Sequence, residues 1–294
     1  MGPGPARRPA GGAVELLTNP ALAHLHPTGD HPERQDRLLA LGGETVERYA
    51  SDEQLARVHT PSHLALLRSL DRPVLLAPNT VVSETSWEAV QLAVGITLEA
   101  VDRGGFALVR PPGHHALAGE ACGFCLVNNV AVAARYAQDE LGLGRVAIVD
   151  FDVHHGNGTD AIFRGDESVL YASIHQYGAV FPGTGGPGTS DETTVNVPLP
   201  AGCGDAEWLG AFAEIVEPAV HAFEPELMLV SAGFDAHEEE ELYLVDMRVT
   251  DNGFCELARR CAALAPRVAV VLEGGYNLAT LPRLVAVAQE GFSS

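Results

Sequence analysis

The chain has 294 residues, 46% of them hydrophobic, with 18 basic against 39 acidic side chains and a net charge of −21. So acidic a surface repels nucleic-acid phosphate and does not favour anionic membranes, so neither is an expected partner. With no run of about 18 apolar residues and nothing resembling a signal peptide, the protein is expected to be cytoplasmic.

Met1–Gly12, rich in Gly, Pro and Ala, reads as a flexible leader, and 13–294 as a single domain. A helix is predicted from Trp87, where Val90, Val94, Leu98 and Val101 recur at three- and four-residue spacing. Ser83 or Thr85 can cap it, and Gly104-Gly105 stops it. Asn129–Leu141, Glu207–Phe223 and Gly253–Leu264 show similar spacing. Between these lie five short apolar runs: Phe106–Val109, Val146–Val149, Val169–Ile174, Leu227–Val230 and Val268–Leu272. Lacking polar alternation, they read as buried parallel strands. Strands alternating with helices predict a three-layer α/β/α domain with a mostly parallel central sheet. The Gly- and Pro-rich stretch from His175 to Asp205 reads as a long pocket-shaping loop. The five cysteines, Cys122, Cys125, Cys203, Cys255 and Cys261, are an odd set expected to be reduced. Cys122-x-x-Cys125 has no second pair to complete a closed zinc site and is expected to be structural.

Each apolar run leads abruptly into polar or Gly residues, and ligands of open parallel sheets bind just beyond the carboxyl ends of strands. Five such ends predict one shared site. Asp150, Asp152 and His154 alternate at the end of the second run. In extended backbone their side chains leave one face, about 6–7 Å apart per two-residue step. Asp152 and His154 can then converge on one ion, with Asp235 as the best-placed third ligand. Three O/N ligands leave a position open, as in a catalytic zinc site. His114-His115 supplies a base, with Asp150 and Asn157 as candidate partners that fix the tautomers. Tyr276, after Gly274-Gly275, can donate to a developing oxyanion.

With these residues in view, the chain resembles the histone deacetylase superfamily, which includes acetylpolyamine amidohydrolases and shares the arginase-like α/β fold. The matching motifs run through H-P-E-R at His31–Arg34, R-P-P-G-H-H at Arg110–His115 and G-F-C-L-V-N-N at Gly123–Asn129. They continue with D-F-D-V-H-H-G-N-G-T at Asp150–Thr159, F-P-G-T-G at Phe181–Gly185, S-A-G-F-D-A-H at Ser231–His237 and L-E-G-G-Y-N at Leu272–Asn277. Asn129, Asn157 and Glu273 resemble the class II and bacterial branch. The resemblance implies that Asp152, His154 and Asp235 bind zinc, that His114 and His115 are a general base and acid pair, and that Tyr276 polarises the substrate carbonyl. It implies a channel lined by Gly123, Phe124 and Phe181, and a structural potassium ion near Asp150, Asp152, His154 and Ser173. The expected substrate is an acylated small amine or an acyl-lysine peptide.

The sequence departs from the family after Asp235, where Glu238–Glu241 runs into Leu242 without the usual Asp-Pro, and at Asn79, which stands where relatives often carry Asp. The acidic run is either a mouth favouring cationic substrates or a solvated loop. Two rival functions stand beside hydrolysis. A binuclear ureohydrolase needs a second metal supported four residues after Asp152, where Gly156 stands. A non-catalytic binding module should have lost Tyr276 or a catalytic histidine, and this chain keeps them.

Overall fold

A computed structural model describes residues 13–294; the leader Met1–Gly12 lies outside the described residues. Among the described residues ten strands form: β1 (Leu16–Thr18), β2 (Glu44–Thr45), β3 (Val74–Ala77), β4 (Thr80–Val82), β5 (Phe106–Ala107), β6 (Val146–Asp150), β7 (Val169–Gln176), β8 (Thr194–Leu199), β9 (Leu227–Ala232) and β10 (Val268–Leu272). Eight build one sheet in the order β2-β1-β5-β10-β9-β6-β7-β8, and β3 and β4 form a separate hairpin. Every neighbouring pair in the large sheet is parallel. All residues of β6, β7 and β9 are buried, as helices covering both faces of a parallel sheet require. The five runs read from the sequence occupy consecutive central positions, β5-β10-β9-β6-β7.

Three differences from the sequence reading have physical causes. The stretch from His175 to Asp205 is not all loop: β7 continues to Gln176, and Thr194–Leu199 pairs with it as the edge strand β8. Its alternation of Val with Thr and Asn suits an edge, where Pro198 is also tolerated. β1 and β2, three and two residues long, are too short to show periodicity. Regular pairing of the first run stops at Ala107, although the Leu108 N–H still reaches the Leu17 carbonyl at 2.8 Å.

The helices fall close to where the spacing placed them. Ser86–Arg103 ends at Gly104 in a left-handed conformation, but Thr85 makes no side-chain cap; Ser86 Oγ instead accepts the Ser83 N–H at 2.9 Å. Asn128 caps Asn129–Asp139 by accepting the Ala131 N–H at 3.0 Å. The predicted Glu207–Phe223 helix spans Asp205–Phe223, with a π-helical turn at Phe212–Val216 just before Pro218, which has no N–H to give the ladder. Phe106, Phe151, Phe234 and Phe254 pack edge to face or tilted beneath the strand ends and form an apolar floor for the site.

Candidate metal centre and channel

Asp150 is the last residue of β6, and the chain then bends, so Asp152 and His154 do not alternate along an extended strand as expected. The bend brings them closer than a strand would: Asp152 Oδ1 lies 3.1 Å from His154 Nδ1 and accepts the His154 N–H at 2.9 Å. From the end of β9, Asp235 Oδ2 reaches the same nitrogen at 3.1 Å. The candidate ligand atoms of Asp152, His154 and Asp235 lie within 4.8 Å of one another, and all three residues are buried. Each carboxylate is steered by main chain: Asp152 Oδ2 accepts the Gly274 N–H at 2.8 Å, and Asp235 Oδ1 the Val153 N–H at 3.0 Å.

Two buried carboxylates facing one imidazole form an unbalanced cluster, because an uncompensated buried charge costs several kcal/mol. Burial and then the Asp152 charge push Asp235 above its usual range. Against the cost of burial, the two carboxylates hold His154 up at about 9. Asp235 Oδ2 is buried and, apart from its 3.1 Å contact with His154 Nδ1, which is not aligned as a hydrogen bond, meets no donor among the described residues. A Cβ at Gly274 would collide with Asp235 and Asp152, so the backbone must pass bare beside them. A buried carboxylate oxygen without a well-formed hydrogen bond, a second carboxylate and an imidazole nitrogen around one point are the donors a divalent cation needs, and the residues fit zinc.

His114 and His115 lie behind this cluster with ring centroids 4.0 Å apart and their planes tilted by 44°. His114 Nδ1 is 3.0 Å from Asp150 Oδ2, which also accepts the Tyr171 hydroxyl at 3.0 Å. His115 Nδ1 is 2.7 Å from Asn157 Oδ1. Both candidate partners therefore sit in place. The environments split the pair. Burial disfavours charge on His114, but Asp152 and Asp150 outweigh it and raise the group well above its usual value. Burial, His114 and His154 drive His115 well below its own. Glu273, the last site residue before the glycines, was noted in the sequence only as a branch marker. Its Oε2 accepts the Gly113 N–H at 2.6 Å and the His114 N–H at 3.2 Å, fixing the loop that carries both histidines. Burial pushes its carboxyl up to about 7.

A cavity of about 460 Å³ opens onto this site. Its lining includes His115, His154 and Tyr276 at depth, with Gly123, Phe124 and Phe181 in the walls and Asn79, Leu242 and Tyr243 toward the mouth. His115 borders the cavity; His114 does not. Phe124 stands at φ +70°, a left-handed conformation rare for a large side chain, and meets Tyr276 edge-on at 5.7 Å. Ser173 lies opposite Asp150 in the sheet register, with its Oγ 2.9 Å from His175 Nδ1. Cys122 and Cys125 share an isolated backbone bridge and carry free thiols. His237, two residues after Asp235, turns away to Asp251 at 3.0 Å. Arg37 has no flag in the local sequence. It donates to the carbonyls of Glu273 and Gly275 at 2.5 and 2.7 Å and lies over the Tyr276 ring.

A family model described as the histone deacetylase domain matches residues 26–292. The chain belongs to that family. Histone deacetylase 10, chloroplastic, of Oryza sativa subsp. japonica is 38% identical over 93% of this deacetylase and 71% of its own length. Polyamine deacetylase HDAC10 of Mus musculus is 39% identical over 81% of this chain but 39% of its own, and Histone deacetylase 9 of Homo sapiens is 36% identical over 85% and 30%. The crystal structure of the HDA15 HD domain superposes with a TM-score of 0.89 at 35% identity, covering 97% of this chain and 89% of that one. The deacetylase fold is therefore shared over nearly the whole described chain. No helix among the described residues is long and apolar enough to cross a membrane.

Proposed function

We propose that this deacetylase is a zinc-dependent amidohydrolase that removes an acetyl group from an N-acylated amine, either a lysine side chain or a small polyamine. The observation that carries the reading is the buried Asp152–His154–Asp235 cluster at the floor of an aromatic-walled channel, with His115 and Tyr276 beside it. Zinc held there would supply Lewis acidity to the acyl carbonyl and to a water, whose pKa it would bring toward about 7. The channel walls of Phe124 and Phe181 hold the acyl arm in line. His115 commits its Nδ1 proton to Asn157, which leaves Nε2 with a lone pair to accept the proton of the attacking water. The same nitrogen returns the proton to the amine as the C–N bond breaks. His114, paired with Asp150, stays charged behind it and stabilises developing negative charge. The Tyr276 hydroxyl donates to the oxyanion.

Potassium is carried by the family resemblance. Asp150 Oδ2 already engages His114 and Tyr171, its Oδ1 accepts the Asp152 N–H, and Ser173 Oγ engages His175. Asp150 Oδ1, with a single hydrogen bond, keeps a lone pair for the ion, and main-chain carbonyls would supply the other ligands. Cytoplasmic location, reduced thiols and the lack of a nucleic-acid or membrane partner belong to the same reading. A binuclear ureohydrolase is disfavoured because a side chain at Gly156 would run into Asp150 and Tyr171. The decisive assay offers zinc-loaded protein acetyl-lysine peptides and acetylated polyamines while metal per chain is measured. One zinc and acetate release are expected. Two tightly bound transition metals, or no cleavage across the panel, would reject the reading.

A further inference from the structure

The acidic run after Asp235 is neither wholly solvated nor wholly a charged mouth. Glu238, Glu239 and Glu241 are exposed, but Glu240 turns inward. Its Oε2 accepts the N–H of Tyr276 at 2.8 Å and that of Asn277 at 3.3 Å. Glu239 assists from its main chain, taking Asn277 Nδ2 at 2.6 Å. β10 has ended at Leu272, and Tyr276 follows two glycines, with Gly275 at φ +110°. Glycine loses more conformational freedom on ordering than any other residue, so this junction is inherently loose. Arg37 holds the Glu273 carbonyl ahead of the joint and the Gly275 carbonyl at its end, and Glu240 takes the N–H of that same Gly275–Tyr276 peptide and the next one. Glu240 is itself tied to the Asp235 segment, its N–H reaching the His237 carbonyl at 2.9 Å.

We propose that Glu240 is a positioning residue that sets the Tyr276 hydroxyl over the acyl carbonyl by clamping the Tyr276 and Asn277 amides to the loop that bears Asp235. This rests on the amidohydrolase reading above. Alignment errors of about 1 Å at a reacting centre can cost about 100-fold in rate, so a clamp on a two-glycine joint acts on turnover rather than on substrate capture. Glu240→Ala removes the oxygen that accepts both amides. Glu240→Gln keeps a carbonyl oxygen that can accept the same amides. In Glu240→Ala, kcat should fall roughly tenfold with KM within about threefold, and amide exchange at Tyr276 and Asn277 should speed up. Glu240→Gln should recover most of both effects, with zinc content unchanged in each. Unaltered exchange at Tyr276 in Glu240→Ala would overturn the proposal. So would a loss confined to KM, or a Gln variant as impaired as the Ala one. Exchange is read without substrate, so a wild type that cleaves no acyl amine would sink the amidohydrolase reading while leaving the clamp measurable.

Discussion

Tyr276 and Asp235 were legible from the sequence because each follows a buried strand, where a polar side chain must have a reason to be. In the structure Tyr276 borders the cavity beside His115 and His154, its ring held under the Arg37 guanidinium. Tyr276→Phe removes only the hydroxyl, so the protein should bind zinc normally while kcat falls about 10²–10³-fold, the usual effect of losing one oxyanion donor. Near-normal turnover in steady-state assays would strip the tyrosine of that role. Gly274→Ala acts on the other half of the site. Its methyl would enter the space of the Asp152 and Asp235 carboxylates. Zinc stoichiometry by metal analysis should fall well below one per chain; a variant that holds zinc like the wild type would show that the carboxylates can yield. Arg37 and Glu240 were not legible, for a shared reason. Each acts on the backbone of a distant segment, and such a partnership leaves no spacing or composition in its own neighbourhood.

At the level of elements, the sequence revealed strands in proportion to their burial. β6, β7 and β9, buried throughout, stood out as continuous apolar runs, whereas the short β1 and β2 and the half-polar β8 did not. The segment before β2 was legible only as a family motif, and the structure shows what it does. Glu33 receives both arms of the buried Arg110 guanidinium, at 2.8 and 2.9 Å, and Arg110 leads from β5 into the histidine loop. Although burial opposes it, Arg110 holds the Glu33 carboxyl down at about 2. Glu33 also lies 3.4 Å from Arg37, so one carboxylate anchors the supports of both the histidine loop and the tyrosine. Glu33→Gln leaves two guanidiniums buried with an uncharged partner. Stability in urea unfolding should drop by about 3 kcal/mol, within the range for breaking a buried ion pair. A loss under about 1 kcal/mol would mean that water or the Leu22 carbonyl, 3.1 Å from Arg110, takes over the charge.

Across the whole molecule, the formal charge of −21 counts the twelve histidines as neutral, and several of them are buried. His59 is 1% exposed, its Nε2 accepting the Asn128 N–H at 2.9 Å and its Nδ1 facing the Ala118 carbonyl at 3.3 Å. Only a neutral ring with its proton on Nδ1 satisfies both. Burial and then His63 lower its pKa to about 4; His26 is likewise brought to about 4 and His175 to about 3, chiefly by burial. Each takes up a proton near 6.5 when unfolded but much lower when folded, so the unfolded state binds more protons between those values. The contribution of these three histidines therefore falls as the pH drops from about 6.5 toward 4, by about 2 kcal/mol each between pH 7 and 5. Glu273 runs the other way: raised to about 7, it favours the folded state as pH falls over the same interval and offsets one histidine's share. Zinc release in acid would add to the trend, so the comparison is best made with chelator present at both pH values and with His59→Gln beside the wild type. The variant cannot titrate at that position, so its loss between pH 7 and 5 in urea should be smaller by about 2 kcal/mol. Parallel profiles for the two proteins would mean that His59 is charged in the folded state or that its ring is not closed off from water.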